Sequence, residues 1–286
     1  MTLDLAHWQP RPTPDQRTLQ GYFVRLEALD VARHGDDLWR ALQGPDPALW
    51  DYLPYGPFIE RGVFDTWLAG NAQSRDPLFY AVVDLASGRA LGLFSYLRIM
   101  AQDGSIEIGH VAFGAPMQRT PGATEAVYLL ARHAFDDLGY RRLEWKCDAA
   151  NARSLRAAER FGFIQEGLFR QHMVRKGRNR DTAWFSIIDG EWPACREAFA
   201  RWLAAKKPAP AAPPPAKTTT TAARVKVVMA RLAKSTKPTR VVSLRASIKS
   251  WFQPPLDDKA TDAVMQSLTS SKRIAVDGTK VTYTLG

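Results

Sequence analysis

The sequence has few cysteines and histidines, and they form no cluster. Two cysteines, Cys147 and Cys195, and five histidines are spread over 286 residues, without the spacing of a metal-binding motif. We therefore expect no structural metal and no disulfide framework. The two cysteines are interpreted as reduced thiols of a cytoplasmic protein.

The chain also lacks a long apolar segment. Its first 20 residues are rich in proline and polar side chains and have no hydrophobic stretch typical of a signal peptide. No run of apolar residues elsewhere is long enough to cross a bilayer. The sequence therefore predicts no membrane association.

Acidic residues are scarce in only one part of the chain. Residues 206–286 contain 15 Lys and Arg against 4 Asp and Glu, whereas residues 1–205 contain 24 against 25. The net charge of +10 thus comes from the C-terminal part, which is typical of a second module with its own partner. We predict a folded domain at 1–205, a linker at 206–223 rich in proline, alanine and threonine, and a basic domain at 224–286.

The pattern of residues 1–205 predicts an α+β domain in which helices flank a mixed, mainly antiparallel sheet. Three alternating segments within 78–113 are separated by short turns and favour an antiparallel meander. Asp30 is placed to cap a first helix, and a second helix is expected to bury Val63, Trp67 and Leu68.

The basic domain has a simpler pattern. Three helical segments precede the pair Asp277-Gly278, which is a strong signal for a tight hairpin turn. This order predicts a small winged-helix-like domain, which could bind nucleic acid phosphates or a protein. The carboxylates of its third helix argue against a helix built for a DNA groove.

The stretch 111–125 is read as a strand that ends, turns and opens a long helix. Thr120 is a suitable N-cap, and Pro121 fits the first helical position. The backbone amides of Gly122, Ala123 and Thr124 would then face out of the positive end of the helix. Such an end is a ready site for a phosphate group.

Three short motifs occur in the order and with the spacing that one family of enzymes shows. They are Gln118-Arg-Thr-Pro-Gly-Ala123, then Asn151-Ala-Arg-Ser154 with Arg160-Phe-Gly-Phe163, then Glu166-Gly-Leu-Phe-Arg170 with Lys176-Gly177, Arg180-Asp181 and Glu191-Trp192.

On these motifs, residues 1–205 resemble the GNAT acyltransferases, and within them most the branch of ribosomal-protein alanine N-acetyltransferases. The resemblance implies the GNAT fold and acetyl-CoA as co-substrate. It also implies direct transfer of the acetyl group, in a ternary complex, to a primary amine of a protein N-terminus or a small molecule.

The resemblance also implies roles for individual residues. Glu107 or His110 would be the general base, and Ser154 would contact the departing thiolate. Alternatively, Glu107 is only a solvated acid at the strand edge, His110 is simply packed, and Ser154 only caps its helix. The acceptor would meet residues of the covering segment and the last hairpin: Tyr52, Trp67, His172 and Asp181. Acetyl-CoA would be bound by Val111, Ala112, Phe113, Gln118, Arg119, Thr120, Gly122, Ala123, Thr124 and Asn151.

Some of these positions have plain structural readings as well. Asn151 could be only a helix cap, Asp181 could fix a turn through backbone hydrogen bonds, and the aromatic residues could be core.

Two departures from the family pattern favour a second hypothesis. Pro121 stands where the family's phosphate loop has its first glycine and cannot donate a hydrogen bond, a loss that Arg119 could offset. Ala158 stands where many GNATs have a tyrosine. The alternative is therefore a non-catalytic CoA-binding fold that regulates the basic domain and its contacts with nucleic acid or protein.

Overall fold

The computed structural model describes residues 5–43, 47–207, 220–234, 236–252 and 255–284. Contacts between Cα atoms divide the chain into two compact units, Met1–Lys207 and Pro208–Gly286. Most of the segment predicted as a linker lies outside the described residues, but a helix already begins at Thr221, within that segment.

The first unit contains an eight-stranded sheet. Its strands are β1 (Leu19–Gln20), β2 (Val24–Ala28), β3 (Leu78–Asp84), β4 (Ala90–Met100), β5 (Ser105–Phe113), β6 (Arg142–Asp148), β7 (Ile164–Arg175) and β8 (Arg178–Ile188). They lie in the order β1-β2-β3-β4-β5-β6-β8-β7. Among the described strands only the pair β5 and β6 is parallel, which confirms the predicted meander and the mixed sheet.

In the part of this unit that the structure describes, five α-helices accompany the sheet: α1 (Val31–Leu42), α2 (Arg61–Gln73), α3 (Pro121–Arg132), α4 (Ala152–Arg160) and α5 (Trp192–Ala204). The helix starts follow from their capping residues. The side chains of Asp30, Thr120 and Asn151 each accept a hydrogen bond from a backbone N–H in the first turn of α1, α3 and α4. These caps confirm the predicted starts.

The sheet separates two hydrophobic layers. Helices α3 and α5 contribute to the core on one face, together with alternate residues of β6. Helices α1 and α2 contribute to a smaller core on the other face. The predicted inner face of α2 was partly wrong, because Val63 is 54% exposed while Phe64 and Leu68 are fully buried.

The sheet opens between β5 and β6. Their paired register ends at Ile108 opposite Trp145, although both strands continue beyond this point. In β5 a bulge follows at once, since Ser95 pairs with Gly109 and Leu93 with Ala112. Two residues of β5, His110 and Val111, therefore stand opposite a single residue of β4, and His110 has a positive φ of 53°. The result is a gap at the centre of the sheet, bordered by backbone that is not paired across it.

The second unit contains α6 (Thr221–Leu232), α7 (Val241–Ser250), α8 (Asp258–Ser270), β9 (Ile274–Asp277) and β10 (Lys280–Tyr283). The two strands form an antiparallel hairpin, and β10 also makes an isolated bridge to Arg240. Its core consists of apolar residues from all three helices and the hairpin. The order of elements is the predicted one, and the winged-helix assignment stays a prediction.

Within the described ranges, no helix has both the length and the apolar character needed to traverse a bilayer.

Candidate active site

A cavity of about 270 Å³ lies at the gap between β5 and β6. It is lined by residues from five separate parts of the first unit: the α1–α2 connection, β4, β5, the end of β6 with the start of α4, and the hairpin of β7 and β8. Seven of the predicted site residues line it: Tyr52, Glu107, His110, Val111, Asn151, Ser154 and His172.

The connection between α1 and α2 forms the roof of this cavity and is fixed at both sides. The hydroxyl of Tyr52 donates to the carbonyl oxygen of Ala150 at 3.1 Å. The ammonium of Lys176, at the tip of the β7–β8 hairpin, donates to the carbonyl oxygens of Trp50, Tyr55 and Gly56 at 2.7–3.1 Å. Burial lowers the pKa of Lys176, but its three acceptors match the three donors of an ammonium. The roof is therefore held by backbone contacts.

Aromatic side chains fill the space above this roof. The ring of Trp67 packs on Tyr55 with centroids 4.6 Å apart and also contacts Trp50 and Phe58. Trp67 is not among the residues that line the cavity, so the structure does not bring it to the wall with the other predicted acceptor residues. It supports Tyr55 from behind, because the apolar face of α2 directs it into the core.

Glu107 lies on the floor of the cavity, buried, in a cluster of charges. Its carboxylate is 2.9 Å from the ammonium of Lys146 and 3.1 Å from the guanidinium of Arg98. Lys146 is 2.6 Å from Glu144 as well and packs on the ring of Trp184. Burial raises the pKa of Glu107, and Lys146 and Arg98 oppose that rise. Both cations approach the same oxygen, Oε2, and leave Oε1 without an ion pair among the described residues.

His110 lies beside the roof and is turned there by the bulge. Its Nδ1 is 3.0 Å from the hydroxyl of Tyr55, with the two rings nearly parallel. Burial lowers the pKa of His110 to about 4, so the ring is neutral at physiological pH. Neutral imidazole can accept a proton at one nitrogen while the other is hydrogen-bonded.

Ser154 sits on the opposite wall, in the first turn of α4. Its Oγ accepts a hydrogen bond from the indole N–H of Trp145 at 3.0 Å. With that lone pair engaged, the hydroxyl hydrogen can point elsewhere. The neighbouring Cys147 also lines the cavity, and burial raises the pKa of its thiol.

The hairpin of β7 and β8 supplies the third wall. The Nδ1 of His172 is 2.9 Å from the hydroxyl of Thr182, and the same oxygen accepts a hydrogen bond from Arg180. Asp181 points away and accepts from the backbone N–H of Gln171 and from the amide of Asn179. The structure thus contradicts the predicted acceptor contact of Asp181 and supports its reading as a residue that fixes the strand.

The predicted phosphate loop lies at the N-terminal end of α3, outside the cavity lining. The side chain of Gln118 donates to the carbonyl of Phe113, while Arg119 is exposed with a positive φ of 62°. The amide of Ala123 donates to the Thr120 hydroxyl at 3.3 Å. The expectation that this amide faces outward was therefore wrong, since the capping side chain uses it. The amide of Gly122 has no partner within the helix, as is general for a first turn.

Arg160 completes this end of α3. Its guanidinium donates to the hydroxyl of Thr124 at 2.8 Å, and burial lowers its pKa. No carboxylate of the described residues lies within 4.0 Å of it. A positive side chain thus adds to the positive helix end and favours an anion there.

Comparison with known proteins identifies the family. A family model for the acetyltransferase (GNAT) domain matches residues 25–164. The chain is 49% identical to a GCN5-related N-acetyltransferase from Brucella melitensis; the match covers 70% of this chain and 90% of that one, with a TM-score of 0.69. The chain belongs to the GNAT family.

Other relatives agree with this result. The acetyltransferase is 47% identical to a GNAT-family structure from Chromobacterium violaceum, over 68% of this chain and 96% of that one, with a TM-score of 0.63. It is 26% identical over 155 residues to the uncharacterized N-acetyltransferase p20 from Bacillus licheniformis, which is 51% of this chain and 84% of that protein. The first unit is accordingly an acyltransferase domain.

Several residues of the acetyltransferase site were given no role from its sequence. They are Tyr55, Arg98, Lys146, Lys176 and Arg180. A weak signal existed for Lys146, because β6 alternates buried Leu143 and Trp145 with charged residues. Lys176 and Arg180 belong to the third sequence motif, but the surroundings of Arg180 depend on the pairing of β6, β8 and β7.

The described residues contain no group of three or more histidines, cysteines or acids that could hold a metal ion.

The basic unit of the acetyltransferase has part of its charge paired internally. Arg245 of α7 makes ion pairs with Asp258 and Asp262 of α8. Lys249 of the same helix pairs with Asp258. These two cations are thus committed to packing one helix on the next, and nucleic acid binding by this unit stays a prediction.

Proposed function

We propose that this acetyltransferase moves the acetyl group of acetyl-CoA directly to the primary amine of an acceptor, within a ternary complex. One observation carries the proposal. The gap between β5 and β6 has the capped N-terminus of α3 on one side of the sheet and the roofed cavity on the other. A thioester lying in the gap would meet an amine entering under the roof.

The donor side fits the chemistry of coenzyme A. The backbone of β5 beyond Ile108 is not paired with β6, so its polar groups can bind the amide groups of the pantetheine arm. The first turn of α3 and the guanidinium of Arg160 suit the diphosphate. Arg160 also offsets the amide that is lost at Pro121, a role that the sequence analysis gave to Arg119.

The thioester carbonyl would be polarised by a backbone N–H of β5, at Val111 or its neighbour. The bulge at His110 rotates the backbone there, out of the regular ladder. A fixed N–H beside the developing oxyanion stabilises the transition state without reorganisation.

The reaction requires three proton movements. The acceptor ammonium first loses a proton, which we assign to His110, a neutral residue under the roof, and the free amine then attacks the carbonyl carbon. As the N–C bond forms and the C–S bond breaks, the nitrogen loses a second proton to solvent and the thiolate gains one. We assign the protonation of the thiolate to Ser154, whose hydroxyl is reprotonated by solvent. The products are an acetamide, the thiol of coenzyme A and one proton that His110 releases.

Glu107 has a different part in this scheme. Its Oε2 is 2.9 Å from the ammonium of Lys146 and 3.1 Å from the guanidinium of Arg98, and we assign to it the placement of these two cations at the floor of the cavity. It is thus a positioning residue.

Within the family, the sequence motifs favour the ribosomal-protein acetyltransferases, so a peptide N-terminus stays a predicted acceptor beside small amines.

Initial rates of thiol release from acetyl-CoA with a panel of amines would test the proposal. We expect intersecting double-reciprocal plots, as for a ternary complex, and retained activity in Cys147→Ala. His110→Phe should lower kcat by about 100-fold, the usual contribution of a general base, while Glu107→Gln should lower it less. Parallel plots, together with loss of turnover in Cys147→Ala, would instead indicate an acetylated cysteine and overturn direct transfer.

A further inference from the structure

The guanidinium of Arg180 faces the cavity without a carboxylate partner. Its Nε donates to the hydroxyl of Thr182 at 3.2 Å, and its side chain is half-buried in the cavity wall. No acidic oxygen of the described residues lies within 4.0 Å of it. Burial lowers the pKa of Arg180, which shows that its charge is poorly solvated.

The charged groups around Arg180 compensate its charge only in part. Asp148 of the adjoining strand and Glu107 line the cavity and raise the pKa of Arg180, but neither makes an ion pair with it, and the carboxylate of Asp148 also accepts the backbone N–H of Ala150. Glu107 is paired with Lys146 and Arg98. Arg175, which also lines the cavity, adds a further positive charge and donates to the sulfur of Met173. This wall of the cavity therefore carries an excess of positive charge.

The position of Arg180 puts it on the acceptor side of the sheet. Residues two apart in a strand share a face, so Arg180 lies with Thr182 and Trp184. Trp184 pairs with Lys146, whose ammonium lies on the cavity floor beneath the roof. Arg180 thus belongs to the side on which the α1–α2 connection closes the cavity. The end of α3 lies on the other face.

We infer, on the basis of the proposed acetyl transfer, that the acceptor is a primary amine that also carries a carboxylate, and that Arg180 binds this carboxylate. The Nε of Arg180 is held by Thr182, which leaves the two terminal nitrogens for a bidentate contact with a planar anion. His172, whose Nδ1 is hydrogen-bonded to the same hydroxyl of Thr182, lies next to this contact. The cavity volume of about 270 Å³ suits a group of amino-acid size.

Two sources can supply this chemistry: a free amino acid or the acidic side chain of a peptide near its N-terminus. Steady-state rates with acetyl-CoA would be measured for free amino acids, for their α-carboxamides, and for short peptide amides with or without an acidic residue. Each carboxamide has nearly the size of its parent acid but lacks the negative charge of the carboxylate. We expect kcat/KM at least 10-fold higher for the acid of the best pair.

The variant Arg180→Gln should remove this preference by lowering kcat/KM for the acid 10-fold or more, through KM, while the carboxamide and the KM of acetyl-CoA change little. Arg180→Lys should retain part of the preference. Arg178→Gln is the matched control, since Arg178 is exposed in the same hairpin and does not line the cavity.

Equal rates for acids and carboxamides, or an equal loss on both in Arg180→Gln, would overturn the inference while leaving acetyl transfer intact. A folded protein that releases no thiol with any amine would overturn the proposed function, and the inference with it. A preference for acidic peptides over free amino acids would support the same contact and identify its source.

Discussion

The donor half and the acceptor half of the site are built in different ways. The donor half comes from one continuous stretch, residues 111–125, with a helix cap and first-turn amides. The acceptor half comes from five segments that are far apart in the chain. The donor half is held by a local helix cap and backbone hydrogen bonds, whereas the acceptor half is held by ion pairs and by side chains, such as Lys176, that reach from one element to the backbone of another. The comparison predicts that the two halves respond differently to substitution.

The largest effect is expected where the donor half is anchored. The carboxylate of Glu125, buried in α3, accepts the backbone N–H groups of Tyr22, Phe23 and Val24 at 2.6–2.9 Å. Glu125→Ala leaves three donors without an acceptor, and hydrogen bonds to a charged group contribute roughly 1.5–3 kcal/mol each. Since water can reach part of this loop, we expect a loss of about 4 kcal/mol in the free energy of unfolding.

Urea denaturation followed by tryptophan fluorescence would measure this loss, because eight of the nine tryptophans lie within residues 1–207. Glu159→Ala, at an exposed position of α4, is the control and should change stability by less than about 0.5 kcal/mol. A Glu125→Ala protein as stable as this control would show that the helix end does not depend on its anchor.

A somewhat smaller effect is expected in the acceptor half. Lys146 is 4% exposed and lies between Glu107 and Glu144, which are directly opposite in the register of β5 and β6. Lys146→Met leaves two carboxylates facing each other, and breaking a buried ion pair costs about 3 kcal/mol. Glu107, whose pKa is already raised, should then become protonated more readily. A carboxyl group whose pKa is raised in the folded state stabilises the fold below its pKa in the unfolded chain, and this stabilisation is lost as pH rises through the folded pKa. The loss of stability in Lys146→Met should therefore be larger at pH 8 than at pH 5.

The double variant Glu107→Gln with Lys146→Met tests this explanation. It should be more stable than Lys146→Met alone, because the unpaired charge is removed from one strand. A defect in Lys146→Met that is equal at both pH values would mean that Lys146 acts by packing on Trp184.

The same difference explains what the sequence could predict. Caps such as Asp30 and Thr120 bind backbone amides three residues away, and the alternation of side chains in a strand is also local. The helices, the strands and the donor half can therefore be predicted from short stretches of sequence. The acceptor half does not, because Lys146 meets Glu107 only through the parallel register and Lys176 reaches carbonyls more than 100 residues away. Trp67 and Asp181 were expected to meet the acceptor but do not line the cavity. The reason is the same, because their neighbours depend on how the elements pack together.

The smallest effect is expected for a charge pair on the same face of the sheet but outside the cavity. Arg142 donates to Glu166 at 2.8 Å and, as the largest cause, lowers the pKa of that carboxyl to about 2. A lowered pKa stabilises the fold above the unfolded value of about 4.3, and this contribution is lost as pH falls towards 2. Because the Glu166 side chain is 41% exposed, solvent screening reduces the contribution to about 1 kcal/mol.

Between pH 7 and pH 3, Glu166→Gln should therefore lose about 1 kcal/mol less stability than the parent, whereas Glu159→Gln should follow the parent. If Glu166→Gln also follows the parent, an exposed pair on this face contributes nothing, and the dependence on charge is confined to the buried cluster beneath the roof.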